Sequence, residues 1–446
     1  KKSLSKGAFS AMSGRFVRQS SYRHVFGTAA KPAGQFQDIS PDITGIGPHI
    51  HCSDKYFATP LGGGGGPVLV HPLSVTGRLN RNPPRLAVHK GKVLCCDFNP
   101  FVGTLLATGS DDCYAKVTAF PAAGLKETIS EATVVLEGHR KKVTELHFHP
   151  TANNVLGSAA ADGTVKVWDI EAQAELFSYE TTDAPFSFDW NSDGSLMAVT
   201  AKDGRANTLT IVDPRQAAAA QSVPQHEGTK QSSTRWIDNL GRLVTVGFSK
   251  NSVRQYWLWD PKNLAGGPVV KSDIDQSAGV LLLHYDPDNS ILYMGGKGDG
   301  GVKYFEITDE GSFFLSEFRS NDSQKGIAFV PKKGLDTRKC EIARGLRLMR
   351  NKVVPVSFCV PRKSDQFQDD LFPDTYAGVS TQTCAAWAAG GNAAPTKMSL
   401  NPKDRGDEVA AVEFVAKKSP AQLQKELDEA LARIKVLEAE NAKLKA

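Results

Sequence analysis

Two rhythms of apolar and polar residues divide the chain. Over most of its length, short runs alternate apolar and polar positions with period two, as in "VTELHFHP" (143–150), "VLGSAA" (155–160) and "TVKVWD" (164–169), each bounded by turn formers. That pattern predicts half-buried antiparallel strands. The end of the chain follows another rule. In "LARIKVLEAENAKLKA" (431–446) apolar residues fall three and four apart, the spacing of one helix face. The first rhythm predicts a sheet protein, the second a helix at its end.

The strand pattern also repeats. Residues 138–169 form one unit, with "GH" at 138–139, three strands, and a tight "ADG" turn before "TVKVWD". In a WD repeat of this kind His139, Ser158, Asp162 and Trp168 form a hydrogen-bonded relay that satisfies buried polar groups and pins one blade's inner strands. About 50 residues upstream the unit recurs, with His89, Thr108 and Asp112 at relay positions and Thr118 where Trp would stand. Three looser units follow at 186–215, 225–261 and 281–308. Repeats at this spacing predict four-stranded blades around a central channel. Strand-like runs at 55–73 and 313–360 supply one more blade at each end, and "SYRHVFG" (21–27) is the candidate strand that closes the ring and protects its last edge. The expected fold of residues 12–360 is all-β, a seven-bladed WD-repeat β-propeller.

Past Pro361 the period stops. "PRKSDQFQDDLFPDT" keeps Phe367, Leu371 and Phe372, so residues 361–405 are expected to form a C-terminal extension packed in part on the propeller, with Trp387 and Leu400 as further anchors. Residues 406–418 read as linker. Ser419 then caps a helix that has Pro420 at its first position. Leu423, Leu427, Ala430, Ile434, Leu437, Asn441 and Leu444 alternate four and three apart, a heptad seam with a at 427, 434 and 441 and d at the others. The seam predicts an α-helical coiled coil over 419–446. At about 1.5 Å per residue its apolar stripe is about 33 Å long, and a lone helix of that length is marginal in water.

Arg433 at g and Glu438 at e flank Ile434 and Leu437 in an arrangement that resembles a parallel-trimer signature. There the guanidinium can reach a neighbouring helix's glutamate while its stem covers the core edge. Asn441 at an a position leans toward two strands, and Leu431 at e toward higher order. A homo-oligomer is expected, with three chains favoured over two or four.

At 446 residues the chain has room for one large closed β domain with appendages. Residues 1–11 lack the apolar centre of a secretory signal and are expected to be a tag or an upstream extension. No apolar run approaches the roughly 20 residues that span a bilayer. Seven cysteines without a C-x-x-C pair predict reduced thiols in an intracellular protein.

"GGGGGP" (62–67) lacks the Lys-Ser/Thr of a phosphate loop and is expected at a hairpin tip. His147 and His149 share a strand face without a carboxylate or thiol at a matching offset, so neither a metal site nor a cofactor is expected. His139, Ser158 and Asp162 match a hydrolase triad only in composition. In a WD repeat they are buried between strands, so an enzyme is not expected.

The net charge of +5 is modest for this size. Basic residues nevertheless gather at Arg140, Lys141 and Lys142, in the run 331–352, and at Arg15, Arg18 and Arg23. Together they could form a patch for an acidic protein surface. The lack of interleaved aromatics disfavours nucleic acid.

Several stretches carry a family resemblance, and the first and last of them are far more specific than any WD repeat. "VRQSSYRHVFG" (17–27), "HPLSVTGR" (71–78), "VVLEGH" (134–139), "WDP" (259–261), "GKGDG" with "KYFEIT" (296–308), "KCEIAR" (339–344) and "VPRKSDQFQDDLFPDT" (360–375) together resemble the coronins. The resemblance implies a propeller with an extension packed beneath it, a variable linker and a short oligomerising coiled coil. It also implies binding to filamentous actin, engagement by many members of the actin-related-protein nucleating complex, a place on the cytoplasmic actin cytoskeleton, and no catalysis. Members often carry an Arg after an Asp-Ile step beyond the N-terminal motif, and that group is implicated in filament contact. Here "QFQDISPDI" puts Ser40 there, while Arg15, Arg18 and Arg23 are expected to keep the area basic. The function predicted is an actin-filament-binding cytoskeletal regulator. The alternative is a general WD-repeat scaffold for trafficking or signalling complexes.

Overall fold

The computed structural model describes residues 19–45, 47–204, 206–216, 218–364, 366–404, 428, 431–435 and 437. Seven antiparallel blades succeed one another along the chain. Blade 1 holds His51–Cys52, Tyr56–Pro60 and Val68–Pro72, with Leu86 bridging Val68 at its outer edge. Blades 2 to 6 are four-stranded meanders whose innermost strands are Val93–Phe98, Val143–Phe148, Pro185–Trp190, Ser233–Ile237 and Leu281–Asp286. Blade 7 joins Gly326–Phe329, Glu341–Leu348 and Lys352–Cys359 to the N-terminal strand Phe26–Ala29, which pairs from Phe26 with Cys359 to Ala29 with Val356. Residues of all seven innermost strands line one central channel of about 590 Å³.

The burial pattern follows from this stacking. Second strands such as Leu105–Ser110 and Val155–Ala160 are buried at every position, because neighbouring blades cover both of their faces. Innermost strands alternate, with Val143, Leu146 and Phe148 in the core and the intervening residues toward the channel.

Two expectations shift in register. The closing strand begins at Phe26 rather than Ser21. Residues 21–24 form a turn, with the Val25 N–H donating to the Tyr22 carbonyl at 3.1 Å and Asn289 Nδ2 donating to the Tyr22 hydroxyl at 2.8 Å. The run Gly311–Arg319 is the outer strand of blade 6, paired with Gly301–Thr308, and not part of blade 7.

Antiparallel meanders give the ring two ends. Loops entering the innermost strands, and those joining second to third strands, lie at one end, called the top here. The remaining connections lie at the bottom. Phe26–Ala29 and then Phe36–Gln37 run from bottom to top beside Lys352–Cys359, so residues 19–24 and residues 38–45 lie at opposite ends. At the top, residues 40–45 and 47–49 form a strap. Lys92 Nζ lies 3.4 Å from Asp42 Oδ2, and Lys297 Nζ donates to the Gly45 carbonyl at 2.5 Å and to His49 Nε2 at 2.6 Å.

Residues 366–404 cross the bottom. Leu371, Phe372 and Leu400 are buried in the core shared by blades 6 and 7. Thr375 Oγ1 donates to Asp288 of blade 6 at 2.6 Å, the Tyr376 hydroxyl donates to the Pro150 carbonyl of blade 3 at 2.6 Å, and Trp387 is buried against blades 3 and 4. Among the described residues no helix is long and apolar enough to cross a membrane.

Candidate binding face

The relay residues of blade 3 meet at its top. Trp168 Nε1 donates to Ser158 Oγ at 2.8 Å, the Ser158 hydroxyl donates to His139 Nε2 at 2.7 Å, and His139 Nδ1 donates to Asp162 at 3.2 Å. Burial holds His139 below the ordinary imidazole value, so it sits neutral with its remaining proton toward Asp162. Ser158 is fully buried, with no face toward solvent. Asp162 has a second task, since its carboxylate accepts the backbone N–H of Arg140 at 2.8 Å. Blade 2 repeats the device. Asp112 accepts from His89 Nδ1 at 3.0 Å and from the backbone N–H of Lys90 at 2.9 Å. Burial pushes Asp112 up, but the His89 hydrogen bond and charge outweigh it and hold the carboxyl well below the usual range. Thr118 Oγ1 is buried and unpartnered at the position where a Trp would complete this relay.

One relay was missed in the sequence. In blade 5, Trp259 Nε1 donates to Thr245 Oγ1 at 2.9 Å, and that hydroxyl meets His226 Nε2 at 3.0 Å. The signal was present as "QH" and "WLWD", with Thr in place of Ser.

The predicted basic residues separate. Arg140, Lys141 and Lys142 are exposed at the top. Arg23 is exposed at the bottom, beside Tyr22, whose hydroxyl accepts from Asn289, and Ser21, whose hydroxyl donates to Asp370. It therefore does not keep the area around Ser40 basic, because Ser40 is exposed at the top, where its carbonyl accepts from the Gly62 N–H at 2.9 Å. Arg15 and Arg18 lie outside the described residues. The run 331–352 forms no patch, since most of its cations are spent internally. Lys332 pairs with buried Asp286 at 2.8 Å, Arg344 with Glu341 at 2.5 Å, and Arg347 is buried against Gln324 with Nε donating at 2.7 Å.

The channel holds a titratable cluster that the sequence reading overlooked. Glu145, two residues before His147 on the same face, lies 3.2 Å from His147 Nε2, and Asp97 approaches Nδ1 at 4.0 Å. Each carboxylate staples its blade to the next. Asp97 accepts the Phe148 N–H, Glu145 the Phe188 N–H and Asp189 the Trp236 N–H, all at 2.9 Å. His149 points elsewhere, with its Nε2 3.1 Å from the Gly194 carbonyl.

Burial pushes Asp97 up to about 6 against the opposing pull of His147 and the Phe148 N–H. Burial would lower His147, but its hydrogen bond with Glu145 outweighs that and leaves it raised, with Arg235 opposing. Both shifts have the same sign for stability. A carboxyl raised in the fold costs stability once the pH exceeds its unfolded value, and a raised histidine contributes stability that is lost as pH rises through its folded value. Asp97→Asn keeps an acceptor for Phe148 but removes that titration. Its melting temperature relative to the native chain is expected to rise by on the order of 2 °C between pH 5 and 7.5. A constant difference across that range would contradict the assignment.

With this geometry in place, comparison with known proteins identifies the family. The chain is 33% identical over 426 residues to the coronin-like protein crn1 of Schizosaccharomyces pombe, covering 94% of this chain and 70% of that one. It is 34% identical over 397 residues to Coronin-2A of Homo sapiens, covering 86% and 75%. The chain belongs to the coronin family. A coronin-like protein of Saccharomyces cerevisiae matches at 34% over 392 residues, 85% of this chain and 60% of that one. The crystal structure of the WD40 domain of Toxoplasma gondii coronin superposes with a TM-score of 0.80 at 30% identity, covering 85% of this coronin and 98% of that chain. A chain of the mitotic checkpoint complex shares the fold alone, with a TM-score of 0.53 at 14% identity over 80% of this chain and 98% of that one.

Family profiles match a domain of unknown function at 15–78, WD domain G-beta repeats at 83–118 and 130–169, and a type of WD40 repeat at 353–395. In this coronin the last span is no blade. It holds the strand Lys352–Cys359 and then the extension under the ring.

Proposed function

We propose that this coronin is a cytoplasmic regulator of the actin cytoskeleton. It binds filamentous actin through the top of its propeller, and its C-terminal heptads join several propellers on one filament. The observation that carries the reading is the top of blade 3. Arg140, Lys141 and Lys142 are exposed, and among the described residues their side chains have neither an ion pair nor a hydrogen bond. Cations left free in this way suit the carboxylates of an acidic protein surface.

Support for self-association comes from the described part of the final helix, where Leu431, Ile434 and Leu437 are 48%, 49% and 56% exposed. Apolar side chains at e, a and d positions want a partner helix. Leu423, Leu427, Ala430, Glu438, Asn441 and Leu444 lie outside the described residues, and their part in the seam rests on sequence. Three chains are favoured by Arg433 and Glu438 flanking Ile434 and Leu437. Residues 406–418 act as the linker, and the C-terminal region is the proposed contact for the actin-related-protein nucleating complex, on the strength of family membership.

The test is cosedimentation of the full chain with actin filaments from about 50 to 300 mM salt. Binding at low salt that weakens steadily with ionic strength is expected. Failure to pellet with filaments at low salt, together with stable capture of another partner, would favour a scaffold without direct actin contact.

A further inference from the structure

Cations at the top fall into two kinds. Lys250 pairs with Glu227 at 3.5 Å and Lys352 with Asp322 at 3.0 Å. Lys90, Arg140, Lys141 and Lys142 stand on adjacent blades and, among the described residues, have no side-chain partner, and Arg350 stands apart on blade 7. The loops that carry the first four are built alike. In each, the relay histidine and the N–H of the following residue converge on one aspartate, Asp112 beneath Lys90 and Asp162 beneath Arg140. The carboxylate fixes both groups, and the side chain of the residue whose N–H it holds is exposed.

A third element fixes the Lys90 loop from the side. The glycine-rich tip of blade 1 tucks under it. At Gly66, where φ is +55°, an added Cβ would fall 2.1 Å from the Gly91 carbonyl oxygen, so only glycine permits that approach. Gly91 itself faces the Asp112 backbone, where a Cβ would fall 2.8 Å from the amide nitrogen. Lys92 is held by Asp42 and by Thr44 Oγ1 at 3.3 Å. The loop is therefore braced by blades 1 and 2 and by the strap. Exposed carboxylates share the tops of these two blades, Asp111 and Glu137 beside the cations and Glu180 and Asp183 on the far side of blade 3.

We infer that Lys90, Arg140, Lys141 and Lys142 form one docking surface across blades 2 and 3 for a carboxylate-rich protein surface, with Asp112 and Asp162 as positioning residues that aim it. This rests on the actin reading for its partner, but the surface stands on its own geometry. Its charge balance makes a prediction in both directions. Lys90→Glu and Arg140→Glu remove binding, whereas Glu137→Lys, which improves the patch, strengthens it. A misfolded variant cannot mimic the second effect.

The experiment compares native chain, Lys90→Glu, Arg140→Glu, the double variant, Glu137→Lys, and Lys262→Glu at the bottom as control, each in cosedimentation with filaments. Single reversals are expected to weaken binding roughly two- to fivefold, and Glu137→Lys to tighten it by a similar factor. The double variant should lose about tenfold or more, with a shallower salt dependence, and Lys262→Glu should match the native chain. Asp112→Asn should weaken binding while Lys90→Arg does not, because the first releases the loop and the second keeps its charge. Native binding that is unaltered by the double variant and by Glu137→Lys overturns this surface while leaving the actin reading intact. If the native chain does not bind filaments, the actin reading falls and the same series is read by salt elution from immobilised polyglutamate. The same order of variants then supports the surface, and no order overturns it.

Discussion

Ending the chain at residue 418 is expected to lower its apparent affinity for filaments by about two to four orders of magnitude while leaving the melting of the propeller unchanged. The size of the effect follows from linkage. A single propeller uses a few exposed cations on one face, and surface charge contacts are individually worth little, about 1 kcal/mol or less each. Joining propellers makes each later contact intramolecular, at an effective concentration set by the linker, and no new contact is required. Linker length matters here, since the gain disappears if residues 406–418 cannot span neighbouring sites. Ile434→Asp should reproduce the truncation, because a charge at an a position is buried only when helices associate. Cosedimentation of the three chains at one salt concentration checks this. Equal affinities would mean that the heptads do something other than multiply binding.

The largest expected loss of stability comes from the bottom of the ring. Trp387 is fully buried, with ring centroids 4.8 Å from His149, 5.8 Å from Phe177 and 5.9 Å from Trp190, and its Nε1 donates to the Gly194 carbonyl at 3.0 Å. It stands on the short helix Cys384–Ala388, capped by Thr383, whose hydroxyl accepts the Ala386 N–H at 3.2 Å. The surroundings cannot close over a lost indole. Gly194 sits at φ +70°, and a Cβ there would overlap the His149 ring, so this turn is already as close as the backbone allows.

Trp387→Ala should therefore cost about 3–5 kcal/mol and expose residues 375–404 to proteolysis. Trp387→Phe, which keeps a ring and loses one hydrogen bond, should cost about 1–2 kcal/mol beyond its packing change. Calorimetry with limited proteolysis separates loosening of the extension from unfolding of the ring. An alanine variant that melts and resists protease like the native chain would show that the extension is held elsewhere, at Leu371 and Phe372.

How far the sequence could be read depended on whether an interaction is local or set by packing. The blade 3 relay uses four side chains at fixed offsets within one repeat, so "GH", "S", "D" and "W" sufficed. Blades 6 and 7 replace that relay with long side chains that no motif reveals. Arg254 reaches from blade 5 to Asp299 of blade 6 at 2.7 Å, and Arg347 of blade 7 reaches back to Gln324 and the Gly300 carbonyl.

The same reason explains the misjudged charges. Whether Lys332 is a surface cation or the partner of buried Asp286 is decided by a fold that brings positions 332 and 286 together. Arg23 and Ser40 are close in sequence yet lie at opposite ends of the ring, because Phe26–Ala29 and then Phe36–Gln37 climb beside the strand Lys352–Cys359 between them. Glu145 was overlooked although its offset from His147 is the strand period itself. Trp387 and Leu400 were legible as anchors because large apolar residues in a turn-rich segment must be covered, but the route of the extension from blade 6 to blade 4 was not.

The central claim is that this coronin acts as several propellers joined at one helix. Light-scattering mass of the full chain and of the chain ending at 418, taken at the concentrations used for filament binding, tests it most directly. The account predicts a full-chain mass near three times the 48.1 kDa of one chain, falling to a monomer on truncation together with the loss of tight filament binding. A full chain that runs as a monomer and binds filaments as tightly as any oligomer should would contradict it.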